Sequence, residues 1–104
     1  MPHWVVTDRH GREIYLTEER WERIRTMHPA LGRHRNHVLE TIRHGPRRRV
    51  ADQPEKYRYT RRFSDLPGTF NAVVVVVLFR FRQRPDGETV PNNYVVTAWP
   101  AHVW

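Results

Sequence analysis

The run Ala72-Val73-Val74-Val75-Val76-Val77-Leu78-Phe79 constrains the fold of this chain more than any other segment. Its residues are apolar without interruption and mostly branched at Cβ, which favours extended backbone. They show no period-two alternation, so the run predicts a central strand buried on both faces. The strand is expected to continue to Arg82, with Phe79 and Phe81 against Arg80 and Arg82 marking its emergence at one edge. A membrane-spanning helix takes about 20 apolar residues, so this stretch is too short to be one.

The flanking sequence supplies the other elements. Trp4–Thr7 and Arg12–Leu16 read as two short strands. The turn Asp8-Arg9-His10-Gly11 joins them as a hairpin, with Gly11 free to take positive φ. Thr17 is an N-cap followed by Glu18 and Glu19, where the helix dipole favours negative charge. Trp21, Ile24, His28 and Leu31 then recur at helical spacing, and Pro29 ends or kinks that helix. A second helix is predicted from about Arg33 to His44, with Val38, Leu39 and Ile42 on its apolar face and Gly45-Pro46 as its stop.

Beyond Pro46 the pattern is β. Arg48–Ala51 is a short candidate strand. In Tyr57–Phe63 the residues Tyr57, Tyr59, Arg61 and Phe63 point one way and Arg58, Thr60 and Arg62 the other. Ser64–Asn71 and Pro85-Asp86-Gly87 are loops, and Tyr94–Trp99 is the last strand. The expected fold is a single α+β domain over residues 1–104. In it two N-terminal helices, after a short β-hairpin, pack on one face of a curved antiparallel sheet of about four strands. Arg58, Thr60 and Arg62 do not suit an apolar core, so their face is expected to be the open one.

Charge then points to a partner. Residues 1–30 and 63–104 each balance. Residues 31–62 hold nine Arg and Lys56 against Glu40, Asp52 and Glu55, so 10 − 3 = +7 equals the net charge of the whole chain. A surplus confined to one segment suits a surface that meets polyanions, whose phosphates supply electrostatic affinity. The plainer reading is a solvated Arg-rich face. There is no cysteine, which excludes disulfides, thiolate nucleophiles and Cys-based zinc sites and suits a reducing cytoplasm. Met1–Val6 shows no targeting signal, and no membrane association is expected.

The candidate chemistry rests on few parts. His28, at the end of the first helix, is either a general base or acid or a structural histidine that closes the helix. His37, Glu40 and His44 share a helix face, but HxxH alone is a weak ligand signature, so no metal site is expected. Arg58, Thr60 and Arg62 form either a phosphate-binding strand face or a merely charged one. Thr97 could hold a phosphate oxygen or simply favour a strand; strict alternation sides it with Val95 and Trp99. Arg47-Arg48-Arg49 is a phosphate-contacting patch or a charged loop. These parts suit cofactor-free RNA cleavage, in which the ribose 2′-OH attacks its own phosphate while cations neutralise the oxyanion.

Certain residues also carry a family resemblance. They are Leu16-Thr17-Glu18-Glu19-Arg20-Trp21, His28-Pro29, Val38-Leu39-Glu40-Thr41-Ile42 closing at Gly45-Pro46, Tyr57-Arg58-Tyr59, and Tyr94-Val95-Val96-Thr97-Ala98. In this order they resemble the phage-type branch of the barnase–EndoU–colicin–RelE nuclease fold, over about residues 14–99, and the layout is similar to RelE-like toxins. The resemblance implies a metal-independent endoribonuclease, often a toxin held by an acidic antitoxin or immunity protein. It implies catalytic roles for His28, for Arg58 (or Arg61 or Arg62 in its place) and for Thr97. The basic segment itself, and not the resemblance, makes Arg47, Arg48, Arg49, Lys56, Thr60, Arg61 and Arg62 the expected substrate-binding residues. One position departs: the family commonly places Glu after His-Pro, and here it is Ala30. The alternative expectation is therefore a module of the same fold that binds nucleic acid or an acidic partner without cutting.

Overall fold

The computed structural model describes residues 3–103, so the first two residues of the Met1–Val6 stretch lie outside it. The chain opens with β1 (His3–Thr7) and β2 (Glu13–Thr17), an antiparallel hairpin in which Trp4 faces Leu16 and Val6 faces Ile14. Gly11 turns the hairpin at φ 76. Helix α1 (Glu18–Met27) follows directly; the Thr17 hydroxyl accepts from the Arg20 N–H at 3.1 Å, the predicted cap. His28 is its C-cap, and Pro29 starts a single 3-10 turn (Pro29–Leu31) before α2 (Arg35–His44).

The remaining elements are extended. They are β3 (Arg47–Val50), β4 (Gln53–Arg62), β5 (Ala72–Leu78), β6 (Phe81–Gln83), β7 (Thr89–Pro91) and β8 (Tyr94–Ala101). β3 and β4 form a tight hairpin that turns at Asp52, whose φ is 66.

The fold class is α+β, but the sheet is larger than the four antiparallel strands expected. It has six strands in the order β1-β2-β8-β5-β4-β3, and it is mixed, because β2 pairs with β8 in parallel at Tyr15 and Tyr94. The first hairpin is thus an extension of the sheet and not a prelude to it. Asn93 secures the junction: its carbonyl accepts from the Tyr15 N–H at 3.1 Å and its side chain donates to the Glu13 carbonyl at 3.1 Å. Parallel pairing is possible because a long crossover, both helices included, separates the two strands.

A second correction concerns the strand expected to run from Ala72 to Arg82. It breaks after Leu78. The Phe79 N–H donates to the Glu55 carbonyl at 2.7 Å and its ring packs 5.0 Å from Tyr57. β8 begins at Tyr94, opposite Leu78, so past that point β5 has a neighbour on the β4 side only. The chain instead pairs with itself, and β6 and β7 form a separate two-stranded arm on which Phe81 is 69% exposed.

β5 is central and buried throughout, as its composition requires. Val73, Val75 and Val77 face the helices and join Trp21, Ile24, Leu31, Val38, Ile42 and Tyr59 in one core. The sheet curls around α2, which touches β1 as well as β4 and β5. At the end of α2, a Cβ on Gly45 would meet the Thr41 carbonyl at 2.4 Å and the Thr60 carbonyl at 2.7 Å. Only glycine lets the helix stop this close to β4. Among the described residues no helix is long and apolar enough to cross a membrane.

Candidate nucleic-acid interface

Cross-strand register identifies the face left uncovered by the helices. Arg48 pairs with Arg58, Arg58 with Val76, and Val76 with Thr97. Residues paired in this way share a face, so these four form one rung across β3, β4, β5 and β8. The next rung carries Thr60, Val74 and Trp99, and the one beyond it Arg62, Ala72 and Ala101. On the other side of the Arg58 rung lie Lys56, Leu78 and Tyr94. Strand spacing of about 4.8 Å puts Arg58 and Thr97 about 10 Å apart along their rung.

Thr97 reaches this face through a backbone irregularity. Val76 pairs with Thr97 but Val77 pairs with Val95, so Val96 is an extra residue, a β-bulge. Val95 is therefore in the core while Thr97 faces outward. Strict alternation, which sided Thr97 with Val95, fails here because an inserted residue resets the period. Trp99 does share the face of Thr97.

The outward valines are not bare. Val74, Val76 and Leu78 are 6%, 8% and 9% exposed although no helix covers them. Longer neighbours shelter them, with the Arg58 guanidinium 5.8 Å from the Trp99 ring centre. An aliphatic floor is thus flanked by cations on β4 and by Tyr94, Thr97 and Trp99 on β8.

Two clefts lie at the ends of this surface. Near Tyr94 a groove of about 470 Å³ is lined by Arg20, Lys56, Leu78, Arg80, Tyr94 and Val96, among others. Glu55 also lines it and pairs with Arg80 at 3.5 Å. At the other end a cleft of about 750 Å³ is lined by Arg9, His44, Pro46, Thr60, Arg61, Arg62 and Val103. Arg9, Arg20 and Arg80 carry no sequence signal for this role: they lie in a turn, on a helix and in a strand break, and only folding gathers them.

The run Arg47-Arg48-Arg49 divides between the two faces. Arg48 is on the open face. Arg47 pairs with Tyr59 and Arg49 with Tyr57 in the register, which places both on the helix side. The Arg47 guanidinium lies 4.3 Å from the Tyr57 ring centre and 3.3 Å from an Asp8 carboxylate oxygen. The Arg49 guanidinium donates to the Tyr57 hydroxyl at 3.0 Å. Arg61, also on the helix side, reaches Glu40 at 3.5 Å and stacks on Phe63.

Asp8 is the centre of a buried polar cluster. One carboxylate oxygen accepts from the His10 and Arg12 N–H groups, each at 2.9 Å, and the other from the Tyr59 hydroxyl and Arg47. Burial alone would raise the Asp8 pKa. The Tyr59 hydroxyl, the two backbone N–H groups and the Arg47 charge outweigh it and hold the carboxyl below its ordinary value. Tyr59 moves the other way, because burial and the adjacent carboxylate both oppose a phenolate.

The helical histidines are separately engaged. His37 Nε2 lies 2.8 Å from Asp65, and this contact lowers the Asp65 pKa. His44 lies 3.2 Å from Glu40, which also binds Arg43 at 2.7 Å. No group of three metal-binding side chains occurs among the described residues.

His28 belongs to the helical layer. It is half-buried, its N–H donates to the Ile24 carbonyl at 2.8 Å, and no hydrogen bond among the described residues joins it to Arg58 or Thr97. Its position along the fold is nevertheless defined. α1 starts beside Tyr94, where Arg20 lines the groove, and both α1 and the 3-10 turn after His28 touch β8. The imidazole is therefore carried on the helix-covered side of β8, with Val95 and Ala98, whereas Thr97 and Arg58 lie on the opposite face of the sheet. Compared with known protein families, curated proteins and solved structures, the chain has no match in any of the three.

Proposed function

We propose that this protein is a metal-independent endoribonuclease that holds RNA on the open face of its sheet. The observation that carries the reading is the rung Arg48–Arg58–Val76–Thr97, flanked by Trp99. Paired guanidinium N–H donors and a hydroxyl suit a phosphate, and the indole suits a base stacked beside it. Arg58 neutralises the charge that builds on the phosphate as the 2′-oxygen attacks, and Thr97 hydrogen-bonds a non-bridging oxygen. The P–O5′ bond breaks as the 2′,3′-cyclic phosphate forms, with solvent protonating the 5′-oxygen; the resemblance gives the 2′-OH proton to His28, which has to reach it from the helix side of β8. The resemblance to the phage-type branch of the barnase–EndoU–colicin–RelE fold supports the same roles and adds an acidic antitoxin or immunity protein as a partner. Such a toxin would act in the cytoplasm.

Incubation with RNA in EDTA tests the reading. Fragments ending in 2′,3′-cyclic phosphate are expected from the wild type and not from His28→Ala or Arg58→Ala. Intact RNA throughout would remove the enzymatic role.

A second reading, RNA binding without scission, is favoured by two observations. Ala30 replaces the carboxylate expected to orient the histidine, and His28 lies in the helical layer, across the sheet from Arg58 and Thr97. Binding that survives His28→Ala but not Arg58→Ala, with no cleavage by either protein, would select it.

A further inference from the structure

We infer that the two terminal clefts are phosphate subsites of one single-strand track that follows β4, so that the protein selects single-stranded over duplex RNA and needs a minimum length. This rests on the proposal that the open face holds RNA.

The geometry is linear. Lys56 lines the first cleft, Arg58 the central rung, and Thr60 and Arg62 the second cleft, all on the outward side of one strand. From Lys56 to Arg62 is six residues, about 20 Å at 3.3 Å each. A stacked strand advances about 3.4 Å per nucleotide, so the track spans about six stacked nucleotides. It spans fewer where bases unstack onto Tyr94 or Trp99. Cations mark both ends, Arg20, Lys56 and Arg80 at one and Arg62 at the other, where the cleft passes round the edge of β4 to Arg9 and Arg61 on the helix side. Between them lie aromatic rings and an aliphatic floor, which suit exposed bases and not the paired backbones of a duplex.

The second subsite is assembled by the fold. Arg9 belongs to the β1–β2 turn and Arg62 to β4, two elements that are not neighbours in the sheet. The bonds from Asp8 to Tyr59 and Arg47 bring that turn over β4 and put Arg9 into the cleft. Asp8 is thus a positioning residue for a phosphate subsite it does not touch.

The test uses fully 2′-O-methylated oligonucleotides, which cannot be cleaved, and fluorescence anisotropy on the full chain. Affinity should rise at least about tenfold between a trimer and an octamer and then level off. The pairs Arg9→Ala/Arg62→Ala and Lys56→Ala/Arg80→Ala should each weaken octamer binding about tenfold. Each should also reduce the salt slope by about 1.4, two contacts at 0.7 each. A self-paired octamer duplex should compete at least tenfold less well. Tyr59→Phe, a milder change than removing Asp8, should weaken the octamer more than the trimer. The track is wrong if the octamer is bound no better than the trimer, or if the duplex competes equally. It is also wrong if neither pair matters while Arg58→Ala still weakens binding. Absence of binding to any oligonucleotide would instead overturn the proposed function itself.

Discussion

Asp8 and Arg47 lie at opposite margins of the sheet order, just past β1 and at the start of β3, yet their side chains meet at 3.3 Å. The curl of the sheet around α2 makes the contact possible, and the contact in turn holds the curl. Asp8→Asn should destabilise the protein by about 3 kcal/mol, because it leaves a largely buried guanidinium without its charge partner. Tyr59→Phe removes a single hydrogen bond to a charged group and should cost about 1.5–3 kcal/mol. Urea unfolding of the three proteins gives both differences.

The pH dependence of the same cluster has a fixed sign. Asp8 is more acidic when folded than when unfolded, so its contribution is fully present above the ordinary carboxylate pKa. It fades as pH falls through the lowered folded value. The stability gap between wild type and Asp8→Asn should therefore narrow below about pH 4. Tyr59 has a raised pKa, so its contribution is intact below 10.0 and is lost at more alkaline pH. Tyr59→Phe should flatten that alkaline loss. Thermal midpoints followed from pH 2 to 11 check both arms.

Gly45→Ala should be destabilising by about 1–3 kcal/mol, since the added methyl meets two backbone carbonyls that cannot rotate away. The loss should appear as faster unfolding in stopped-flow measurements or as a lower denaturation midpoint. A neutral result would mean that α2 can withdraw from β4 at no cost.

Variants on the open face should separate function from folding. Arg58→Ala removes an exposed side chain and should alter stability by less than about 0.5 kcal/mol. It should lower the cleavage rate by about 100-fold or more. Thr97→Val keeps strand propensity and shape while deleting the hydroxyl, and about tenfold is expected. Single-turnover rates, together with melting curves of the same preparations, provide the check. Equal losses in rate and in folded fraction would assign both residues to the scaffold.

Local signals in the sequence were strong. Thr17 caps α1, Pro29 ends it, Gly45 closes α2, and the valine run lies at the centre of the sheet, because short-range sterics and hydrogen bonding decide such features. Long-range pairing was not legible. Nothing in Glu13–Thr17 or Tyr94–Ala101 announces that they run parallel, since that depends on an Asn93 bridge between distant residues. The bulge at Val96 was equally silent, and it decides which face Thr97 occupies. The division of Arg47, Arg48 and Arg49 follows from pairing with β4, which composition does not encode.

The parallel contact between β2 and β8 has a consequence for synthesis. It joins Tyr15 to a segment 77 residues later, through the hydroxyl bond to Asn92. While the ribosome still holds that segment, the early hairpin has no docking site and the arginines of β4 lack the indole and hydroxyl opposite them. The open face is completed only when β8 emerges, so its hydroxyl and indole join the arginines of β4 only after every other strand of the sheet has been made.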